Sequence, residues 1–287
     1  MTTSHVNGQA RRTTWTRAVI GVVAAFVMVL GAAAPARAAS PVKIANVGAW
    51  AENSVTLPNG DIIVSGDGLQ RIDHDTHAVT KVADVSGPGG LVLKGDTVYF
   101  AAGVSPANVI QHHATIESLD LSTGQRAVVL SGLPFINGLG LLPDGSLVFT
   151  ATIDLTLSGV YRTSSDLSTY HRINTTIPTP NGLTVGPDGQ IYVGSTVQGT
   201  ITRVDPTSGA ASGVTGRLPL IDDLTYAPDG FLYAATNTGC IVRVDPRTGA
   251  RTTVASGLLG ATSAKTYDAT QVVVTTIPGD VSLVPTS

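Results

Sequence analysis

The sequence repeats itself six times at intervals of about forty residues. Four of the copies align without gaps, and each has a short apolar segment, a Pro-Asp-Gly or Pro-Asn-Gly turn and a second apolar segment. Asp-Gly and Asn-Gly supply the positive φ angles that a tight hairpin needs. The copies at 89 and 261 are weaker. In order, the six copies begin at Glu52, Gly89, Asn137, Asn181, Asp222 and Ala261.

Two further β-rich segments follow in each repeat, such as 201–209 and 250–255. Four strands in a period of this length are typical of one propeller blade. The last repeat ends after three strands, and the segment 42–47 stands where every other repeat has its fourth strand. We therefore predict an all-β, six-bladed propeller in which the N-terminal strand pairs into the last blade and removes the open sheet edge. A β-sandwich does not explain six copies in phase.

Residues 1–38 have the features of a secretory signal peptide. Three arginines precede the apolar run 18–30, and Ala36-Arg37-Ala38 is a small-x-small cleavage pattern. The alternative is an uncleaved membrane anchor, since the run is almost long enough to cross a bilayer. We expect cleavage, a secreted or cell-envelope location, a propeller domain over 39–287, and no stable membrane insertion of the mature chain.

The charge balance excludes one class of partner. The first 38 residues carry four arginines and no acidic residue, which leaves 13 basic and 20 acidic side chains in the rest. Nucleic-acid binding requires a basic face, so we expect no nucleic-acid partner. The single cysteine cannot form a disulfide within the chain.

The first residue of each repeat stands where the innermost strand of a blade faces one mouth of the central channel. Four of the six residues carry a side-chain oxygen: Glu52, Asn137, Asn181 and Asp222. Two carboxylates and two amide oxygens around one axis form a hard ligand set that suits Ca²⁺ best, then Mg²⁺ or Mn²⁺, with Zn²⁺ also possible.

A simpler interpretation of the two asparagines remains open. Asn before Gly is a common turn former, and both Asn137 and Asn181 precede glycine. Glutamate is a poor turn residue, so Glu52 at the equivalent position favours the metal site over the turn interpretation.

The order Glu, Asn, Asn, Asp, with the second and sixth repeats silent, resembles the senescence-marker-protein/regucalcin/gluconolactonase family of six-bladed propellers. The resemblance covers the whole mature chain. It implies a divalent cation held in the channel by Glu52, Asn137, Asn181 and Asp222, and hydrolysis of a lactone or related ester. It also implies that Asp222 is the general base.

Two residues depart from the family pattern. Phe135 stands where the sugar-lactone members have arginine, two residues before the first asparagine, so a more apolar lactone or ester is as plausible a substrate as a sugar lactone. Asp223 follows Asp222, where the family has glycine. Either like-charge repulsion raises the pKa of one carboxyl group, or Asp223 points into the blade.

A long loop in the second repeat carries His112 and His113 toward the same mouth. One of them could act as a base, although adjacent side chains alternate in direction and one would then be solvated. No Gly-x-Ser-x-Gly, Walker or His-Glu-x-x-His motif occurs.

The leading interpretation is a secreted, metal-dependent hydrolase of the lactonase type, acting on a small lactone or ester. Two alternatives use the same architecture: a non-catalytic propeller that binds a ligand or protein and is rigidified by its metal, and a strictosidine-synthase-like or lyase propeller. The fold alone does not choose among them.

Overall fold

The chain forms small antiparallel β-sheets. The computed structural model describes residues 40–48, 50–104, 112–153 and 156–286, and the regular structure in these residues is β-strand throughout. In chain order the strands are β1 (Val42–Asn46), β2 (Asn53–Thr56), β3 (Ile62–Gly66), β4 (Gly68–Ile72), β5 (Val79–Ala83), β6 (Leu91–Lys94), β7 (Thr97–Ala102), β8 (Ala114–Asp120), β9 (Arg126–Leu133), β10 (Ile136–Leu141), β11 (Leu147–Ala151), β12 (Gly159–Thr163), β13 (Tyr170–Asn174), β14 (Pro180–Val185), β15 (Ile191–Ser195), β16 (Thr200–Val204), β17 (Ala211–Gly213), β18 (Ile221–Tyr226), β19 (Leu232–Thr236), β20 (Ile241–Val244), β21 (Arg251–Ala255), β22 (Ala261–Thr266), β23 (Gln271–Thr276) and β24 (Asp280–Pro285).

Each sheet has four strands and forms one blade of a propeller. Blades 1 to 5 consist of consecutive strands, β2–β5, β6–β9, β10–β13, β14–β17 and β18–β21. Blade 6 has the order β1-β24-β23-β22, so the first strand of the propeller is the outermost strand of its last blade. The predicted six-bladed propeller, with closure by the N-terminal strand, is confirmed.

Closure of the ring depends on antiparallel pairing between β1 and β24. Val42 lies opposite Leu283 and Asn46 lies opposite Asp280. The Asp280 carboxylate accepts a hydrogen bond from the Asn46 amide at 2.6 Å and lies 2.5 Å from the Lys43 ammonium group. These contacts complete the last blade, so the edge of β24 is covered.

The Pro-Asp-Gly segments form the hairpins between the first and second strands of the blades. In blade 3 the Gly145 amide donates to the Leu142 carbonyl at 2.9 Å, and the Leu142 amide donates to the Ser146 carbonyl at 2.9 Å. Gly145 has a φ of 86°, which is why glycine is favoured there. The Asp144 side chain accepts the Ser146 amide at 3.0 Å and fixes the turn.

The apolar core is divided among the interfaces between neighbouring blades. Among the described residues, buried apolar clusters join each adjacent pair of blades, including blade 6 with blade 1. The cluster between blades 2 and 3, for example, contains Ile116 and Leu133 on one side and Ile136 and Phe149 on the other. Because each blade buries its two faces against its neighbours, the ring holds the inner strands at fixed positions around the channel.

Close approach of the inner strands depends on glycine at one register position. A Cβ atom on Gly182 would lie 2.3 Å from the Cα atom of Asp223 in the next blade. A Cβ atom on Gly138 would lie 2.7 Å from the Leu183 nitrogen. Glycine at both positions therefore allows the inner strands of blades 3, 4 and 5 to pack backbone to backbone.

The chain divides into two units, Met1–Ala36 and Arg37–Ser287, and the propeller belongs to the second. The predicted signal peptide, residues 1–38, lies outside the described residues. Within the described part of the chain, no helix is long and apolar enough to cross a membrane.

Candidate functional site

The predicted metal ligands stand at equivalent positions of four inner strands. Asn137, Asn181 and Asp222 are each the second residue of their strand, β10, β14 and β18, and the residue before each is paired with the end of the next strand in its blade. Glu52 immediately precedes β2, and its amide donates to the Ser65 carbonyl at 2.8 Å. All four residues therefore lie at the same mouth of the channel, as the repeat pattern predicts.

The register predicted for blade 6 is wrong by one residue. Leu224 pairs with Ala234 in blade 5 and Ala264 pairs with Val274 in blade 6, so the equivalent of Asp222 is Thr262 rather than Ala261. The Thr262 hydroxyl donates to the Ala51 carbonyl at 2.5 Å. Blade 6 still provides no acidic or amide side chain at this position.

Asp222 is held by two amide donors at the mouth. The Asn181 Nδ2 group donates to its Oδ1 at 2.7 Å, and the Asn237 Nδ2 group donates to its Oδ2 at 2.8 Å. Burial raises the pKa of Asp222 to about 7; the Asn237 bond opposes the rise, repulsion from Asp223 adds to it, and the Asn181 bond also lowers the pKa. The carboxyl group thus has a fixed orientation and titrates near neutral pH.

Glu52 lies close to Asp222 and is oriented by an indole. The Trp50 Nε1 group donates to Glu52 Oε2 at 2.9 Å. Burial raises the pKa of Glu52 to about 8, with further contributions from the negative charges of Asp222 and Asp223, while the Trp50 hydrogen bond opposes them. Two carboxyl groups share the mouth, and neither forms an ion pair with a cationic side chain in the described part of the chain.

Asp223 points into the channel and not into its blade, which settles the two alternatives for this residue. Its Oδ2 atom lies 2.7 Å from the Lys265 ammonium group of blade 6 and accepts the Asn53 amide of blade 1 at 2.8 Å. Lys265 also donates to the Leu224 carbonyl at 3.2 Å. Burial raises the pKa of Asp223, and the Lys265 charge opposes the shift. Repulsion between the adjacent aspartates, the other effect considered, contributes to the raised pKa of Asp222.

The side-chain oxygen of Asn181 has no hydrogen-bond partner, and a bound cation could satisfy it. Asn181 Oδ1 is buried and has no hydrogen bond, an arrangement that is unfavourable unless a ligand satisfies it. A cation held by both Asp222 and Asn181 requires the amide to turn its oxygen inward, because its nitrogen now faces Asp222. Asn137 is half-buried at the equivalent position of blade 3, and its side chain makes no hydrogen bond within the described residues.

The donor chemistry of the mouth is carboxylate plus amide. Among the described residues, no group of three or more His, Cys, Asp and Glu side chains is arranged to hold a metal ion. A cation here would therefore depend on the amide oxygens of Asn137 and Asn181 together with Glu52 and Asp222, a ligand set that fits Ca²⁺ better than Zn²⁺.

The other residues predicted at the mouth lie around this cluster. Phe135 is half-buried two residues before Asn137, and its carbonyl accepts the Thr152 amide at 3.0 Å. His112 is half-buried with a φ of 52°, and His113 is exposed. Both histidines directly precede β8, at the end of a loop whose residues 105–111 lie outside the described part. Within the described residues, His113 makes no hydrogen bond or ion pair to the acidic cluster, so its role as a base stays a prediction.

Sequence reasoning missed four residues that contact the cluster: Trp50, Asn53, Asn237 and Lys265. Asn237 stands in an Asn-Thr-Gly segment that resembles an ordinary turn. Lys265 carries a signal that could have identified it, because it is one of four lysines in the chain and the only one within an inner strand apart from Lys94 at a strand end.

A second concavity opens at the opposite end of the channel. It has a volume of about 690 Å³ and is lined mainly by the Pro-Asp-Gly hairpins, with Leu142, Pro187, Tyr226 and Lys94 among its residues. It contains none of the carboxyl groups of the mouth. Its size alone carries no chemistry, so the acidic mouth is the stronger candidate for the functional site.

Comparison with solved structures identifies the same type of propeller. A gluconolactonase from Xanthomonas campestris matches with a TM-score of 0.70 at 17% identity, over 89% of this chain and 99% of that one. A structural-genomics protein classed as a gluconolactonase by its protein family matches with a TM-score of 0.71 at 18% identity, over 88% and 93% of the two chains. The predicted resemblance to gluconolactonase propellers is confirmed.

At these identities the likeness establishes the fold. A chain of a nidogen/laminin complex has the same architecture, with a TM-score of 0.62 at 16% identity over 71% of this chain and 79% of that one. A family model described as a repeat of unknown function, DUF6923, matches residues 163–272. No curated protein matches the sequence.

Proposed function

We propose that the chain is a hydrolase of lactones or related esters, with a divalent cation, Ca²⁺ first, as its cofactor. The observation that carries the proposal is Asp222: a carboxyl group at the channel mouth, held by two amide donors, beside a second carboxyl group and with a pKa near neutral. A general base is most effective when its pKa lies close to the working pH. The gluconolactonase neighbours support the same reaction class.

The residues of this chain provide most of the parts that such a reaction needs. Asn237 fixes the Asp222 carboxylate, so that it can accept a proton from a water molecule placed at the mouth. Trp50 orients Glu52. Glu52, Asn137, Asn181 and Asp222 would hold the cation, which when bound would polarise the scissile carbonyl group. Asn181, whose side-chain oxygen has no hydrogen bond, would release its bond to Asp222 and turn this oxygen to the cation.

A panel of lactones and aryl esters tests the proposed function. The full-length protein should hydrolyse at least one of them in Ca²⁺, and hydrolysis should stop when a chelator removes the metal. A protein that binds Ca²⁺ but turns over no substrate on the panel would favour the non-catalytic alternative. The occurrence of this fold in a nidogen/laminin complex is the reason to keep that alternative in view. Elimination products without uptake of water would instead favour the lyase alternative.

Calcium should raise the melting temperature. A ligand that binds only the folded ring adds RT ln(1 + [L]/Kd) to the stability, about 2.7 kcal/mol at a hundredfold excess over Kd. For a chain of this size the gain corresponds to roughly 5–10 °C. Thermal melting with Ca²⁺ and with chelator measures it, and identical curves would remove the cation from the proposal.

The stabilisation of the folded protein by Ca²⁺ should be larger at pH 8 than at pH 5.5. Because the folded protein raises the pKa values of Glu52 and Asp222, protons compete with Ca²⁺ at the lower pH. In the metal-free protein the pH dependence of stability has the opposite sign. The stabilisation that these two carboxyl groups contribute is fully present below the ordinary carboxyl pKa and is lost as the pH rises through their raised pKa values. Melting curves at both pH values, with and without Ca²⁺, separate the two effects.

The proposal includes export of the chain. Cleavage after Ala38 or Ala39 should give a mature N-terminus at Ala39 or Ser40 and a secreted protein without methionine, because Met1 and Met28 both precede that point. Intact-mass measurement of the culture supernatant checks this. A full-length mass in the membrane fraction would favour the uncleaved anchor.

A further inference from the structure

Exposed apolar side chains surround the acidic mouth. Four of the large apolar residues with more than half of their surface exposed belong to loops at this mouth, and we name these four the apolar collar: Trp50 (53% exposed), Ile153 (52%), Val197 (71%) and Leu259 (61%). Large apolar side chains exposed around a site often mark where a ligand or partner binds.

Short series of bonded residues connect the apolar collar to the predicted ligands at the mouth. Trp50 bonds Glu52 directly. Val197 follows Thr196, whose hydroxyl accepts the Asn181 amide at 2.8 Å. The neighbours of the other two residues are also bonded to the mouth.

Ile153 follows Thr152, whose hydroxyl donates to the Pro180 carbonyl at 2.5 Å, next to Asn181 in the chain. Leu259 precedes Gly260, whose amide donates to the Asn237 carbonyl at 3.1 Å. Asn237 in turn bonds Asp222. Every collar residue is therefore connected to a predicted ligand through at most two intervening residues, and the collar forms the rim of the site.

The backbone of the rim is held in an unfavourable conformation. Trp50 and Ile153 have φ values of 66° and 67°, a region that bulky and β-branched residues rarely adopt. Gly87, Thr179, Leu220 and Gly260 adopt similar φ values at the positions equivalent to Trp50 in blades 2, 4, 5 and 6, so the positive φ belongs to the entry into the inner strand in most blades. At Trp50 and Ile153 this backbone carries a large apolar side chain with about half of its surface exposed.

Three of the four collar residues lie in loop segments without a charged residue, 47–51, 196–199 and 256–260. The polar side chains of these segments are Thr196, Gln198 and Ser256, and Ile153 is followed by Asp154. The Trp50 indole and the Asn237 amide already donate to Glu52 and Asp222. Hydroxyl groups of a sugar lactone would lie against aliphatic side chains and lose hydrogen bonds to water, whereas a hydrocarbon group would gain from leaving water.

We propose that the substrate is a lactone or ester with a hydrocarbon substituent, whose carbonyl carbon lies at Asp222 and whose alkyl or aryl group lies on the apolar collar. This inference rests on the proposed function. In the reaction one water molecule adds across the acyl–oxygen bond: the carbonyl carbon gains the water oxygen, and the ring or alkoxy oxygen leaves as a hydroxyl group. One proton passes from the water through Asp222 to the departing oxygen.

A series of γ-lactones with side chains from zero to seven carbons tests the collar. The value of kcat/KM should rise with chain length, by up to about fourfold for each methylene group that leaves water, and should exceed that of a sugar lactone. In the double variant Val197→Thr with Leu259→Gln, the ratio of long-chain to short-chain kcat/KM should fall at least tenfold. Val128→Thr removes an apolar group of equal exposure to Leu259 from the outer strand β9, and should leave the ratio unchanged.

Binding of alkyl lactams separates this inference from the proposed function, because a lactam resists hydrolysis. In a full-length Trp15→Phe chain, Trp50 is the remaining tryptophan, and its fluorescence reports binding at the rim. Lactam affinity should rise with chain length and should lose that dependence in the double variant.

If lactam binding depends on chain length but no lactone is turned over, the collar is supported as a binding surface for hydrocarbon groups and the hydrolase function is rejected. Turnover with a flat chain-length profile, or with preference for the sugar lactone, would reject the collar. Cosedimentation with phosphatidylcholine vesicles that the double variant abolishes, together with a flat profile, would also reject it and would assign the four residues to a lipid surface.

Discussion

Replacement of Asp222 by asparagine should slow lactone hydrolysis by about 10²–10⁴ even when the protein is saturated with Ca²⁺. The side chain keeps its size, and its oxygen can still accept from Asn181 or Asn237. Removal of one ligand charge weakens Ca²⁺ binding, but an amide also cannot take a proton from the attacking water, so the loss that persists at saturating Ca²⁺ belongs to kcat. Initial rates across a Ca²⁺ titration measure the two contributions separately.

Glu52→Gln provides the contrast to Asp222→Asn. Glutamine keeps an oxygen that can accept from the Trp50 indole, but it removes one unit of ligand charge. The Ca²⁺ concentration required for activity should rise, and saturating Ca²⁺ should restore most of the rate. Asp67→Asn makes the same charge change in the exposed loop between β3 and β4 and should leave the rates unaltered. Recovery of Asp222→Asn at high Ca²⁺ would contradict its role as base.

The repeat pattern predicted the fold because each blade carries its own local information. The Pro-Asp-Gly hairpins determine where the first and second strands turn, and the missing fourth strand of the last repeat identifies β1 as the strand that closes the ring. In blade 6 the Pro and Gly are absent, and a copy counted from Ala261 puts Asp268 at the position of the turn aspartate. It stands instead at the position of Pro228, since Thr266 pairs with Val272 as Tyr226 pairs with Leu232.

The contacts that cross the channel could not be predicted in the same way. Asp223 of blade 5 meets Lys265 of blade 6 and Asn53 of blade 1, which are separated from it by 42 and 170 residues. No local pattern encodes such a meeting; it follows from the radius of the ring and the direction of each side chain. The equivalent positions Asn181 and Asp222 were predicted because symmetry of the repeats brings them together.

A buried ion pair lies directly beneath the mouth, and its cation should be critical for stability. Asp223 is 2% exposed, and Lys265 is the cationic group that contacts it among the described residues. Asp223 Oδ1 has no hydrogen bond, so the pair depends on Oδ2 alone. Removal of one partner leaves an uncompensated buried charge, and this commonly destabilises a protein by about 3–5 kcal/mol.

Lys265→Met should therefore lower the free energy of unfolding by about 3–5 kcal/mol at neutral pH, because methionine fills a similar volume without the charge. Denaturant titration measures the loss. Lys81→Met removes an ammonium group that pairs with the exposed carboxylates of Asp67 and Asp84, and should leave the midpoint nearly unchanged. Asp223→Asn in the Lys265→Met background removes the stranded charge while keeping an acceptor for the Asn53 amide, so it should restore most of the stability. If Lys265→Met unfolds at the same denaturant concentration as Lys81→Met, water reaches Asp223, and the channel beneath the mouth is wetter than its 2% exposure implies.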